Sequence, residues 1–543
     1  MIGMEMISRF MKRIEDAPMS FFSWAIAFLS IVFIRMFLEI FSNSVPDLPA
    51  VPYGVTFFHY TLFFLAEFLA LTLALHFITR EDIVRVSKIV TFAFGMIWVA
   101  PLVDLAISGG KGMVMSYLFV QPSSLVNAFL TLGGWSAFGG TTFGIKTEMI
   151  IAMALCAGYA YIKTQKITRA AVAAFTAYAI IFIFLATPVW LASIGKIFDA
   201  GQQSYNPQIF AITIFDASRA GINTIAQGMS HSFFAGIEIS FDAAMGMVFF
   251  LIDIVLVLWW AIRKRDGVVR AVVRNLRLER MAHYILMVIA GAALATFRLH
   301  ADFTKFDGIA FVVLLITFAA AWCFAVCVND MTDVAIDEVS NRERPLISGA
   351  LSKEEMKDIA GFFLVAALIG GYLSGYWIFF CVCVFLAVFY IHAAPPLRLK
   401  RIPFLASFLI ALASLASVLA GFYFVDTSQL FSDFPTNIMA VILISFTLGL
   451  NFKDMKDIAG DRAGGITTVP VLFGEEYGAI ATGIIFACAF FVVPIILRSS
   501  PLFWPSIVAG MIGYFVIAMK PYREWKVFVL WFAYLGVLFF ILK

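Results

Sequence analysis

The chain has 543 residues, 62% apolar and only 13% charged, with a net charge of +3. A soluble globular domain is about a quarter charged, so a soluble class is excluded. An all-α polytopic membrane protein is expected, with Phe (60 residues) supplying much of the lipid-facing and packing surface and with no nucleic-acid partner.

Residues 1–17 are mixed and basic, and the apolar run 21–41 exceeds the roughly 7–15 residues of a signal h-region, so no cleavable signal is expected. A membrane helix needs about 20 largely apolar residues. On that rule about six spans are predicted in the first half, near 21–41, 55–77, 89–107, 147–162, 170–194 and 243–262. They carry ionisable residues: Arg35 and Glu39 one helical turn apart, Glu67, Asp104 and Asp253. Such charges are costly in a bilayer and either pair or line a path. Arg35 with Glu39 or Glu67 is read as a structural pair, with a second substrate or proton path as the alternative. His59 and His76 are read as packing or interfacial residues. The segments near 108–146 and 195–242, rich in Gly, Ser, Thr and aromatics, are long for loops and are expected to re-enter the membrane or lie over its surface.

Residues 267–281 carry an apolar stripe (Val269, Val272, Val273, Leu276) beside a basic one (Arg270, Arg274, Arg277). This reads as an interfacial amphipathic helix on anionic lipid, or as a cytoplasmic extension of the preceding span. The expected organisation is an N-terminal transmembrane domain over 1–262, a linker over 263–281 and a second transmembrane domain over 282–543. In that domain about nine spans are predicted, near 282–299, 308–328, 356–374, 376–392, 403–424, 437–451, 477–497, 503–519 and 525–542. Alternate loops hold the bases, among them Arg80/Arg85/Lys88, Arg342/Arg344/Lys353, Arg398/Lys400/Arg401 and Lys453/Lys456/Arg462, while Ser42–Gly54 and Asp426–Asn437 have none. The positive-inside rule then puts the N-terminus in the cytoplasm and the C-terminus outside. The six cysteines all lie in apolar runs and are read as small apolar residues rather than a disulfide or metal framework.

Two acidic phrases stand out, Asp330-Met-Thr-Asp333-Val-Ala-Ile-Asp337 and Asp454-Met-Lys-Asp457-Ile-Ala-Gly-Asp461. Both read D-x-x-D-x-x-x-D, both close an apolar run, and both fall on the predicted cytoplasmic face. Their agreement reads as an internal duplication. Positions i, i+3 and i+7 share a helix face, so each phrase is expected to present a row of three carboxylates. Facing rows of oxygen ligands suit hard divalent cations, which in turn hold a diphosphate. Arg344, Arg398, Lys400 or Lys456 would neutralise the remaining oxygens, and an apolar bundle behind the site suits a hydrocarbon tail. Ser352-Lys-Glu-Glu355 reads as a capping box opening the helix after the first phrase.

Asn329 with the first phrase, Arg344-Pro-Leu346, Pro395-Pro-Leu-Arg-Leu-Lys-Arg401 and the second phrase together resemble the UbiA superfamily of intramembrane prenyltransferases over residues 275–543. The resemblance implies a nine-helix bundle and Mg2+-dependent transfer of a prenyl group from a polyprenyl diphosphate to an aromatic or lipid acceptor. It implies Asp330, Asp333, Asp454 and Asp457 as the nearest metal ligands, supported by Asn329, Asp337 and Asp461, with Arg344 and Lys400 on phosphate. Further substrate contacts are expected from Arg342, Arg398, Lys456, His392 and Tyr390. Many members have Tyr about three residues before the double proline, where this chain has His392. His392 is read either as a polar group near the reacting cation or as a packing residue. The competing readings are a cation-coupled transporter and an enzyme whose first half recruits partners.

Overall fold

The computed structural model describes residues 2–42, 54–109, 117–134, 140–198, 233–300, 307–426, 431–519 and 522–542. Among them there is no strand, and fifteen helices are long and apolar enough to cross a membrane. Six lie before residue 276 and nine after it, as the apolar runs predict; the chain is an integral membrane protein. Of the predicted segment 195–242, residues 199–232 lie outside the described residues; of 108–146, only 110–116 and 135–139 do, and the short helix Leu125–Leu130 lies within it. The chain divides into two compact units, with the changeover between Val269 and Arg270.

The first unit contains the helices Phe21–Ser42, Gly54–Thr79, Ile83–Phe94 (extended through a 3-10 turn to Ile107), Phe143–Thr164 and Ile167–Leu185. The predicted span 170–194 is interrupted at Ala186, and a separate helix runs over Thr187–Phe198. The unit's core is aromatic: Phe63, Phe64, Phe68 and Phe249 are fully buried, with the Phe63 and Phe249 rings 5.1 Å apart. Some of its buried charges are partnered, as the cost of burial demands, whereas both carboxylate oxygens of buried Asp253 lack a partner. Arg35 lies 3.6 Å from Glu39, and Asp104 accepts the Gly144 N–H at 2.7 Å. His59 is more than a packing residue: Nδ1 bonds Asp242 at 2.9 Å and Nε2 bonds the Tyr117 hydroxyl at 2.5 Å.

In the second unit the helix Leu405–Val425 is buried along almost its whole length. It packs on Leu278–Leu299 by mutual approach of two glycines. A Cβ on Gly291 would stand 1.9 Å from the Val418 carbonyl oxygen, and one on Gly421 would stand 1.9 Å from that of Val288. Small residues let membrane helices meet backbone to backbone where no hydrophobic drive separates helix from lipid. Ser352 and Glu355 form the expected capping box at the start of Lys353–Ser374.

The expected single helix over 267–281 is interrupted. Phe233–Asn275 ends at Asn275, Arg277 takes left-handed backbone (φ 52, ψ 61), and a new helix starts at Leu278. The Trp322 indole N–H fixes this turn by donating to the Leu276 carbonyl at 2.8 Å. Arg277 thereby leaves the basic stripe and turns inward, its side chain 14% exposed.

Candidate active site

Each acidic phrase breaks its helix at the middle aspartate. The helix Asp307–Thr332 stops before Asp333 (φ −106, ψ 15), and a short helix Val334–Ser340 follows. The second phrase repeats this, with a 3-10 stretch Leu450–Lys456, then Asp457 (φ −104, ψ 10) and the short helix Ile458–Ala463. The expected straight row on one helix face is therefore replaced by a corner, which turns the third aspartate of each phrase onto a separate short helix. Those two helices meet: a Cβ on Gly460 would lie 2.3 Å from Ser340 Oγ and 3.1 Å from the Ile336 carbonyl oxygen. Asn341 ties the phrases together, its Nδ2 donating to Asp337 at 3.0 Å and to Asp457 at 3.3 Å.

The carboxylates meet bases brought from distant segments. Buried Asp330 accepts from Asn275 Nδ2 at 2.5 Å and from Arg277 at 2.6 Å, while Arg344 donates to Asn275 Oδ1 at 2.9 Å. Asp333 is held by Arg398 at 2.8 Å and by Lys400. Lys456 turns instead to Glu524 at 2.7 Å, which also holds Arg280 at 2.7 Å. Like Arg277, Arg398 has left-handed backbone (φ 43, ψ 54), so the bases on Asp330 and Asp333 both sit in a conformation that L-residues avoid. The Nε–H groups of Arg277, Arg344 and Arg398 are buried without an acceptor. An orphaned buried donor is unfavourable, and three on arginines that hold Asp330, Asn275 and Asp333 suit an anionic ligand.

Burial sets the titration of the outer aspartates. It pushes the Asp337 carboxyl up to about 6, with the Asp330 charge adding and the Asn341 bond opposing. Burial, then the charges of Asp454 and Asp457, push Asp461 up to about 7. Burial also lowers Arg277 from its ordinary value, against the pull of Asp330.

A cleft of about 630 Å³, counting the volume open at its mouth, lies beside the phrases. Its lining combines Arg277, Arg280, Asn329 and Lys453 with rings, among them Tyr284, Trp322, Phe389 and Phe452. His392 lines it too, with its Nε2 buried and unpartnered. Two expected contacts stand apart. Tyr390 is 49% exposed and is absent from the cleft lining, because two residues along a helix from His392 is close to the opposite face. Arg342 is exposed and caps the Glu338 carbonyl at 3.2 Å. Sequence reasoning passed over Asn275, Arg277, Arg280, His283, Asn341, Lys453 and Glu524. The available signal was a cluster of polar residues at the starts of two apolar runs.

Among the described residues no three carboxylate, imidazole or thiol groups stand close enough to cage a metal ion. The donor chemistry nonetheless fits a hard cation: every candidate ligand is an oxygen, and the Asn341 bridge keeps the two phrases adjacent. Asp330 and Asp333 would have to exchange their bases for the metal.

A sequence profile of the UbiA prenyltransferase family matches residues 284–540. The chain is 30% identical to a digeranylgeranylglyceryl phosphate synthase of Methanoregula boonei over 209 residues, which are 38% of this chain and 70% of that protein. It is 31% identical to a chloroplast chlorophyll synthase of Oryza sativa subsp. japonica over 159 residues, 27% of this chain and 41% of that one. A UbiA homologue from Archaeoglobus fulgidus, solved bound to GPP and Mg2+, aligns at 18% identity with a TM-score of 0.40, covering 50% of this chain and 96% of its own. The chain spans about half the length of several curated relatives that it matches. The chain belongs to the UbiA prenyltransferase family.

Proposed function

We propose that the second unit transfers a prenyl group from a polyprenyl diphosphate to an aromatic or lipid acceptor within the membrane, releasing pyrophosphate. One observation carries this reading: the acidic phrases, joined through Asn341, stand beside a cleft lined by both basic and aromatic side chains. Asp330, Asp333, Asp454 and Asp457, with Asp337 and Asp461 behind them, would hold Mg2+. The metal, when bound, stabilises the charge that develops on the departing diphosphate. Arg277 and Arg280 flank the diphosphate from the cleft wall, and Arg344, Arg398 and Lys400 turn to it as the carboxylates release them. Asn329 sits among these bases. Tyr284, Trp322 and Phe389 exclude water from the reacting carbon and offer ring faces to an allylic cation. Residues 282–543 form the catalytic domain, joined through 263–281 to a separate transmembrane domain over 1–262. The alternating basic loops support a cytoplasmic N-terminus and a site open to the cytoplasm.

The test is pyrophosphate release by purified protein in lipid, with Mg2+, prenyl diphosphates of several lengths and a panel of acceptors. Release should require Mg2+, stop with EDTA and be lost in Asp330→Asn and Asp454→Asn. Folded protein that releases none with any donor, or variants that retain near-normal release, would overturn the reading.

A further inference from the structure

The cleft holds a polar group with no part in binding the diphosphate. His283 is 2% exposed and lines the cleft. Its Nε2 lies 2.9 Å from Ser414 Oγ, and its Nδ1 has no partner. The partners of Ser414 decide the tautomer. A serine hydroxyl has one proton, and that of Ser414 goes to the Ile410 carbonyl at 2.9 Å. Ser414 Oγ therefore accepts from His283, so the ring proton is on Nε2 and the lone pair is on Nδ1. A neutral imidazole is thus held with its basic nitrogen buried and unoccupied. The rings of Tyr284, Phe446 and Trp531 stand with centroids 5.0 to 6.5 Å away; the Trp531 indole N–H is itself buried and unpartnered, and no hydrogen bond joins it to Nδ1.

Its height in the membrane fits a role in the second half of the reaction. His283 follows Arg280 by three residues on the same helix, a rise of about 4.5 Å. A diphosphate at Arg277 and Arg280 puts the carbon bonded to it one step deeper, at the level of His283. His392 stands on the same cleft but has no residue fixing its tautomer.

We propose that His283 is the general base that takes the proton lost by a hydroxyl-bearing acceptor. This inference rests on the prenyltransferase reading. The donor C–O bond breaks and its electron pair leaves with pyrophosphate. The acceptor oxygen, or a ring carbon activated by the hydroxyl, bonds to the allylic carbon. The proton lost by the acceptor goes to His283 Nδ1, and Ser414 holds the imidazolium through the Nε2–H.

The test compares wild type with His283→Gln, which can still donate to Ser414 but has no basic nitrogen, and with Ser414→Ala. Three quantities are read: prenylated acceptor, prenyl alcohol from capture by water, and binding of a non-reacting prenyl bisphosphonate with Mg2+. General-base catalysis is worth roughly 10²–10⁴-fold. In His283→Gln the prenylated acceptor should fall by at least about 100-fold, the share of prenyl alcohol should rise, and bisphosphonate binding should stay within about threefold. Ser414→Ala should give a smaller loss of prenylated acceptor with the same shift toward alcohol. Prenylated product within threefold of wild type in His283→Gln would overturn the inference while leaving the prenyltransferase reading intact. Equal loss of bisphosphonate binding and product would also overturn it, by making His283 part of the donor pocket. A wild-type protein that ionises no donor would remove the reading beneath it.

Discussion

The close packing of Leu278–Leu299 on Leu405–Val425 at Gly291 and Gly421 holds His283 against Ser414, and Gly421→Ala tests it. The added methyl would lie 1.9 Å from the Val288 carbonyl oxygen and 2.8 Å from its carbon. Both are backbone atoms, so no side chain can swing aside. Ordinary contact begins near 3.4 Å, and reaching it parts the two helices by about 1.5 Å. Overpacking of this kind costs about 1–3 kcal/mol. The same displacement stretches the 2.9 Å bond between His283 and Ser414 beyond hydrogen-bonding range. Misplacement by an ångström is enough to lose about 100-fold in rate. Thermal unfolding in lipid nanodiscs should show the loss of stability, and a transfer assay the loss of rate. Gly361→Ala is the matched control: nothing lies within 4 Å of its added methyl, and a helical Gly→Ala gains about 0.5–1 kcal/mol. If Gly421→Ala unfolds at the wild-type temperature and transfers at the wild-type rate, the helix contact does not position the site.

Further consequences follow from the same geometry. Gly460→Val drives a branched side chain against Ser340 and the Ile336 carbonyl; Mg2+ affinity measured by calorimetry should fall at least about tenfold, and unchanged affinity would mean the two short helices need not touch. Glu524→Gln frees Arg280 and Lys456, so the donor KM should rise by about tenfold, equivalent to about 1.4 kcal/mol, with kcat little changed; an unchanged KM would remove Glu524 from the positioning of the bases. The Asp461 carboxyl is raised to about 7, so without metal it is protonated below that pH and the folded state is relieved of its buried charge as pH falls. Metal needs the carboxylate, and Mg2+ affinity should weaken by up to about tenfold per pH unit below 7. Asp461→Asn should flatten the dependence; affinity level from pH 8 to pH 6 in the wild type would count against Asp461 as a ligand.

What could be read from the sequence is what has a local signature. Twenty apolar residues make a span wherever they occur, so the fifteen spans were legible. Three aspartates at the end of such a run are conspicuous because burial penalises them. The corners at Asp333 and Asp457 were not legible, because helical spacing assumes the helix continues. Nor were Asn275 and Arg277: their stripe is what a lipid-facing helix looks like, and only the turn held by Trp322, 46 positions away, reverses its direction. Glu524 looked like one acid among the bases at the start of the last span. Its role comes from Arg280, 244 positions earlier, and no window of local sequence contains both.

The left-handed backbone at Arg277 and Arg398 has a consequence for how this chain can change. At each position glycine would relieve about 1–2 kcal/mol of steric cost, yet glycine carries no charge for Asp330 or Asp333. Taking the base away from a buried aspartate costs about 3–5 kcal/mol, more than the strain relieved, so in the absence of ligand the pairs with Asp330 and Asp333 keep both arginines in place. In a library screened only for thermal tolerance, either arginine should give way only together with the aspartate that it holds, and such paired losses would mark the lineages that had ceased to bind an anion.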